Sequence, residues 1–163
     1  MENSMRLEIR AMSINEAFAR SAVAAFALPL EPTLTELSDI KTAVSEAVTN
    51  CVVHAYPPHT DKAKAKIVIE CEIKTLQDGG VLHITVTDFG KGIENVDRAV
   101  LPFYTTLEDE ERSGMGFTIM QTFMNDFSIE SGIGQGVKIK MMKRIGGRAA
   151  EMDFESYGEG VDA

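Results

Sequence analysis

Glu46 and Asn50 stand four residues apart in "SEAVTN", so a helix through this stretch sets a carboxylate and an amide one turn apart on one face. An amide oxygen can ligate Mg²⁺, a hard cation that takes oxygen ligands from protein and phosphate together. A carboxylate one turn away can accept the proton of an incoming hydroxyl. In "TDFGKGI", Asp88 ends an alternating apolar run, with Gly90 and Gly92 just beyond. A carboxylate there can accept a hydrogen bond from an exocyclic amine such as that of adenine, and glycines let backbone approach a ligand closely. In "RSGMGFTIMQ", Gly114 and Gly116 stand at the mouth of a helix, where free N–H groups and the helix dipole favour an anion such as a polyphosphate. Taken singly, the three stretches also describe a solvated helix face, a strand-ending turn and a glycine-permitted loop-to-helix junction.

Several other chemistries are excluded. No Gly-Lys-Ser/Thr follows the glycines, so the third stretch is not a Walker A loop, and no early strand leads into it as a dinucleotide fingerprint requires. The "DFG" at 88–90 lacks the companion motifs of eukaryote-type protein kinases. His54, His59 and His83 have no metal-ligand spacing.

The elements that must position these residues follow from periodicity. "RLEIRAM" (6–12) alternates as a strand with one buried face. "SINEAFARSAVAAFAL" (13–28) reads as a helix with a Ser13/Glu16 capping box and an apolar stripe through Phe18, Ala22 and Phe26, with Arg20 off that stripe. A second helix is expected from near Thr35 to Ala55, ending before Pro57–Pro58. Its apolar side gathers Leu37, Ile40, Val44, Val48, Cys51 and Ala55, and its polar side Asp39, Thr42, Glu46 and Asn50. Two β-rich runs flank Gln77–Gly80 as a hairpin, 101–116 reads as a loop, 116–127 as a helix, and two final runs as a second hairpin. Segregated elements in this order predict an α/β two-layer sandwich, a mostly antiparallel mixed sheet with helices on one face.

Composition sets the bounds. The chain has 163 residues, 44% hydrophobic and 25% charged, which suits one soluble domain. A net charge of −9 argues against wrapping nucleic acid and permits docking on a basic protein. Cys51 and Cys71 sit in apolar segments as buried thiols of a reducing compartment. No apolar run reaches membrane-spanning length, which together with the thiols predicts a cytoplasmic protein. Residues 1–145 are expected to form the domain and 146–163 an acidic, disordered tail.

The succession Glu46-x-x-x-Asn50, Asp88-x-Gly90-x-Gly92 and Gly114-x-Gly116 resembles the GHKL superfamily of ATP-binding domains, whose sandwich is the Bergerat fold. "SEAVTN", "HAY" and "ERSGMGFTIMQTFMND" are similar, within it, to the anti-sigma serine kinases of sporulating bacteria, over about residues 5–143. The resemblance implies that Asn50 binds Mg²⁺, Glu46 is the catalytic base, and Asp88 bonds the adenine amine in a pocket shaped by Gly90 and Gly92. It implies an ATP lid over about 101–113, with Thr105, Thr106, Arg112, Ser113 and the backbone of Gly114, Met115, Gly116 and Phe117 around the phosphates. It also implies a homodimer that holds a sigma F-like sigma factor and phosphorylates a serine of an anti-anti-sigma protein; the charge and the lack of a long apolar run lead us to expect no nucleic-acid or membrane partner. The same pocket would serve a partner-binding module that transfers no phosphate, or a kinase of the anti-sigma B type. Val137 and Phe89 depart from the family pattern, which has a threonine at the first position and an acid or amide at the second. Arg20 is a candidate partner contact, since arginine suits protein interfaces.

Overall fold

The structure is a computed structural model that describes residues 1–101 and 116–146. In chain order its elements are β1 (Glu2–Arg10), α1 (Asn15–Ala27), a short 3-10 turn (Leu28–Leu30), α2 (Leu34–Asn50) and a π-helical turn (Cys51–Ala55). β2 (Lys66–Thr75), β3 (Gly80–Asp88), α3 (Val96–Ala99), α4 (Gly116–Phe123), β4 (Asp126–Ser131) and β5 (Val137–Ile145) follow. The strands form one sheet in the order β1-β2-β3-β5-β4, with every neighbouring pair antiparallel. This is the expected two-layer α/β sandwich, with no parallel pair among the described strands.

Strand alternation decides which face is covered. Ile67, Ile69, Cys71 and Ile73 of β2, Leu82, Ile84 and Val86 of β3, and Ile139, Met141 and Ile145 of β5 are buried and share one core with the helices. The opposite face carries cross-strand ion pairs, among them Arg6–Glu70 and Lys140–Glu130, both at 2.7 Å. Two inward register positions are polar. Asp88 continues the Leu82-Ile84-Val86 series and is 3% exposed. Lys143 continues Ile139–Met141, and its Nζ donates to Asp39 Oδ2 of α2 at 2.9 Å and to the Phe123 carbonyl at 2.7 Å. That bond places a cation on the last turn of α4, where the helix dipole favours it.

α2 packs against both α1 and α4. Its buried face is wider than the expected stripe, adding Ala43 and Ala47, because both sides of the helix are covered. α1 is turned from its expected setting. Ala19, Val23 and Ala27 are fully buried, whereas Phe18 is 55% exposed and Phe26 only partly covered. Small side chains on α1 and at Ala43 and Ala47 let the two helices approach closely, which bulky Phe18 would prevent.

The Ser13/Glu16 capping box does not form. α1 begins with Ile14 as N-cap and no side-chain cap bond, and Glu16 instead accepts from Arg20, four residues on, at 2.9 Å. The box forms on α2, where Glu36 N donates to Thr33 Oγ1 at 3.1 Å and Thr33 N donates to Glu36 Oε2 at 2.8 Å. α4 stops at Phe123 rather than 127, since Asn125 N donates to the Met142 carbonyl and starts the β4–β5 pairing. α3, capped by Asn95, was not expected.

Thr33→Ala removes the acceptor for the Glu36 amide at the head of α2. It should destabilise the protein by about 1 kcal/mol, seen in thermal denaturation as a Tm lower by about 2–4 °C.

Candidate functional site

α2 is held by its alanine- and valine-rich side, which leaves Glu46 and Asn50 half-buried on the flank toward α4. The start of α4 comes directly against them. A methyl group at Gly116 would lie 3.2 Å from Asn50 Nδ2 and 3.3 Å from both Asn50 Oδ1 and Glu46 Oε2. The first residue of α4 thus packs over the carboxylate–amide pair, and a side chain there would crowd both groups. An N-terminal helix end, an amide oxygen and a carboxylate converge at this point, a donor set suited to phosphate and a hard cation.

Asp88 occupies a second centre. Its Oδ1 accepts from Gly90 N at 3.0 Å and from Val137 N at 3.1 Å. Burial pushes the Asp88 carboxyl above its usual range, while the Gly90 amide, the Cys51 thiol and the Val137 amide pull it part of the way back. A carboxylate has about four lone-pair sites, and both backbone donors reach Oδ1, so Oδ2 keeps capacity for a further donor. Burial and the neighbouring Asp88 charge drive the Cys51 thiol well up, and burial alone drives Cys71 up to about 12. Both cysteines are free and buried, as expected.

The loop after Asp88 is clamped from two sides. On one side is the π-helical turn that ends α2. Lys91 N donates to the Ala55 carbonyl at 2.8 Å, and a Cβ on Gly90 would fall 2.0 Å from that oxygen, so only glycine passes. The Tyr56 hydroxyl donates to the Lys66 carbonyl and accepts from Phe89 N at 2.8 Å. On the other side is the β4–β5 turn. Ser131 Oγ accepts from Ile93 N at 2.8 Å and donates to the Gly136 carbonyl at 2.6 Å, and Gly134 N donates to the Lys91 carbonyl at 2.7 Å. Gly92 takes φ +76° with a virtual Cβ 1.9 Å from the Gly132 carbonyl, so its expected place in the loop has a steric reason.

Of the sequence-derived residues, the fold gathers Glu46, Asn50 and Gly116 at one end and Asp88, Gly90 and Gly92 at the other. α2 and its π-helical turn connect the two ends. Phe117, the second residue of α4, packs against Phe127 with ring centroids 6.1 Å apart. Thr105, Thr106, Arg112, Ser113, Gly114 and Met115 lie outside the described residues, as do the lid and nearly all of the acidic tail. Arg20 is not opposite the buried stripe. It borders it, paired with Glu16, its Nη1 3.5 Å from Ser45 Oγ and so beside Glu46 in sequence. Tyr56, Ser131 and Lys143 have roles that sequence reasoning missed. Lys143 carried a positional signal, a lysine at an inward position of an alternating strand, and Tyr56 stood in the "HAY" stretch without a role assigned to it.

A sequence profile described as the histidine kinase-like ATPase domain matches residues 10–143. The chain is 49% identical over 144 residues to an anti-sigma F factor of Thermoanaerobacter sp. (strain X514), covering 88% of this chain and 95% of the relative. It is 51% identical to the anti-sigma F factor of Clostridium botulinum (strain Eklund 17B / Type B), covering 88% of this chain and 96% of that one. Among solved structures, the RsbU and RsbW domains of Rv1364c from Mycobacterium tuberculosis align with a TM-score of 0.60 at 16% identity. That match covers 88% of this chain and 32% of the other, and it shows the shared fold. The SiaB–SiaC complex of Pseudomonas aeruginosa gives a TM-score of 0.53 at 11% identity, over 86% of this chain and 89% of that one. The chain belongs to the histidine kinase-like ATPase domain family and, within it, groups with the anti-sigma F factors.

Proposed function

We propose that the protein is an anti-sigma factor that binds ATP between α2, the Asp88 loop and the head of α4, and transfers its terminal phosphoryl group to a serine of an anti-anti-sigma protein. The observation that carries this reading is the convergence of Glu46, Asn50 and Gly116 at one end of a helical segment whose other end, at Ala55, bonds the loop that follows the buried Asp88. The similarity to anti-sigma F factors over most of the chain supports the partners, a sigma F-like factor and its anti-anti-sigma counterpart. The reading includes a homodimer and a cytoplasmic location. Among the described residues no helix is long and apolar enough to cross a membrane.

In this reading the free oxygen of Asp88 accepts from the adenine amine, and Gly90 and Gly92 keep the loop backbone close to the base. Asn50 Oδ1 holds Mg²⁺, helped by a glycine at 116 that leaves the amide uncrowded. The metal, when bound, neutralises charge on the phosphate oxygens. Glu46 takes the proton of the serine hydroxyl as that oxygen bonds to the terminal phosphorus. The bond from phosphorus to the bridging oxygen breaks, and its electron pair leaves with ADP. Such a transfer asks the protein for positioning and charge stabilisation, which a helix-borne pair at fixed spacing supplies. Thr105, Thr106, Arg112, Ser113, Gly114, Met115 and Phe117 complete the phosphate end in the proposal. Arg20, with its side chain 42% exposed beside α2, offers a cation to an acidic partner surface.

Three outcomes test the assignments. Glu46→Gln should keep ATP affinity and lower transfer of labelled phosphate to an anti-anti-sigma protein by about 10²–10⁴-fold; wild-type transfer by the variant would remove Glu46 as base. Arg20→Glu should weaken binding of that partner in titration calorimetry while ATP titrates as before. Asp88→Asn should weaken ATP binding and raise the nucleotide-free Tm at neutral pH. The sign follows from the raised carboxyl pKa: the fold favours the protonated form, so its contribution is full below the ordinary value and lost as pH rises through the raised one. The variant's gain should therefore vanish below about pH 4.

A further inference from the structure

The β2–β3 ladder ends at the pair Ile67↔Asp88. The next pair in register would be Lys66 and Phe89, yet their backbones do not bond each other, although the Lys66 Nζ lies 5.3 Å from the Phe89 ring centre. The Tyr56 hydroxyl stands between them, donating to the Lys66 carbonyl and accepting from Phe89 N at 2.8 Å. One phenol thus extends the ladder by a step and parts the strands by the width of an oxygen. Burial, foremost, raises the Tyr56 pKa above its usual value, so the hydroxyl stays protonated and remains a donor.

The peptide held this way is the one that follows Asp88. Its N–H side is fixed by Tyr56, and its carbonyl side is fixed by Gly136, whose φ of +71° brings it so close that a Cβ would lie 2.2 Å from the Asp88 oxygen. With both sides of the 88–89 peptide plane blocked, the backbone at Asp88 has one setting. The carboxylate, bonded by Gly90 N and Val137 N, then presents its remaining lone pairs in one direction. Recognition of an amine by one hydrogen bond needs that direction held to about half an ångström.

We infer that Tyr56 is a positioning residue for base recognition, bridging the Lys66 carbonyl and Phe89 N so that the Asp88 carboxylate faces the exocyclic amine of the purine. It does not touch the nucleotide. The inference rests on the reading of Asp88 given above and adds to it the residue that makes Asp88 selective.

The test reads a selectivity ratio. ITP differs from ATP at the purine 6-position, where it carries an oxygen in place of the amine, so the ratio of the two affinities reports Asp88's bond to the amine. Only folded molecules bind, so a loss of stability alone leaves the ratio unchanged. By fluorescence titration, wild type should prefer ATP, Asp88→Asn should lose the preference, and Tyr56→Phe should reduce it by about fivefold, the factor of one ordinary hydrogen bond. If Tyr56→Phe does not fold, an ester in place of the 88–89 amide removes the Phe89 N–H while leaving the Tyr56 side chain intact, and should lower the ratio likewise. A wild-type ratio in Tyr56→Phe, or in the ester, overturns the inference while leaving Asp88 in place. A wild-type ratio in Asp88→Asn overturns the reading of Asp88 and this inference with it.

Discussion

The contact between the π-helical turn and the Asp88 loop sets the geometry of the whole site. Lys91 N bonds the Ala55 carbonyl at 2.8 Å, and Gly90 slides past that carbonyl without a side chain. Ala55 is five residues beyond Asn50, so this contact fixes the far end of the same helical segment that bears the carboxylate and the amide. Helix and loop therefore move as one piece, and the distance from Asp88 to Glu46 is set by a rigid helical spacing. A π-helical turn suits the task, because such turns shift the helix face locally and recur at functional sites.

Three layers of packing keep that piece in place. Alanines on the α1 side allow close approach, the sheet core covers the α2 underside, and α4 closes the remaining side with its first residue over Glu46 and Asn50. Lys143 ties the other end of α4 to Asp39 of α2 through a largely buried ion pair and a carbonyl bond. Burying an ion pair contributes little net stability, whereas its fixed geometry can set the register of two elements. The cost of holding an ionised carboxyl under burial appears at Asp88, where the backbone amides and the thiol only partly offset it.

Much of this was legible in the sequence, for particular reasons. Four-residue spacing gave Glu46 and Asn50 one face, and alternation carried Asp88 inward after Leu82, Ile84 and Val86. Local signals failed where two of them competed. Ser13/Glu16 and Thr33/Glu36 have the same capping spacing, but Glu16 has Arg20 one turn on to bond with, and Glu36 does not. The α1 stripe was read one residue off because aromatic size outweighed alanine in the pattern, while close helix packing favours alanine. The helix through 124–127 gave way to strand pairing with Met142, a partner no local window includes. The role of Tyr56, though "HAY" marks the residue, was illegible for the same reason, since its bonds reach 10 and 33 residues along the chain. The phosphate end beyond Gly116 and Phe117 falls outside the described residues.

The central claim is that one nucleotide spans both centres, its base at Asp88 and its terminal phosphate beside Glu46, Asn50 and Gly116. A crystal structure with Mg²⁺ and a non-hydrolysable ATP analogue tests it directly. The account predicts the purine amine within hydrogen-bond distance of the Asp88 carboxylate and the terminal phosphate against the head of α4, facing the Glu46 carboxylate. An analogue bound elsewhere, or a Glu46 carboxylate turned away from the terminal phosphate, would contradict it.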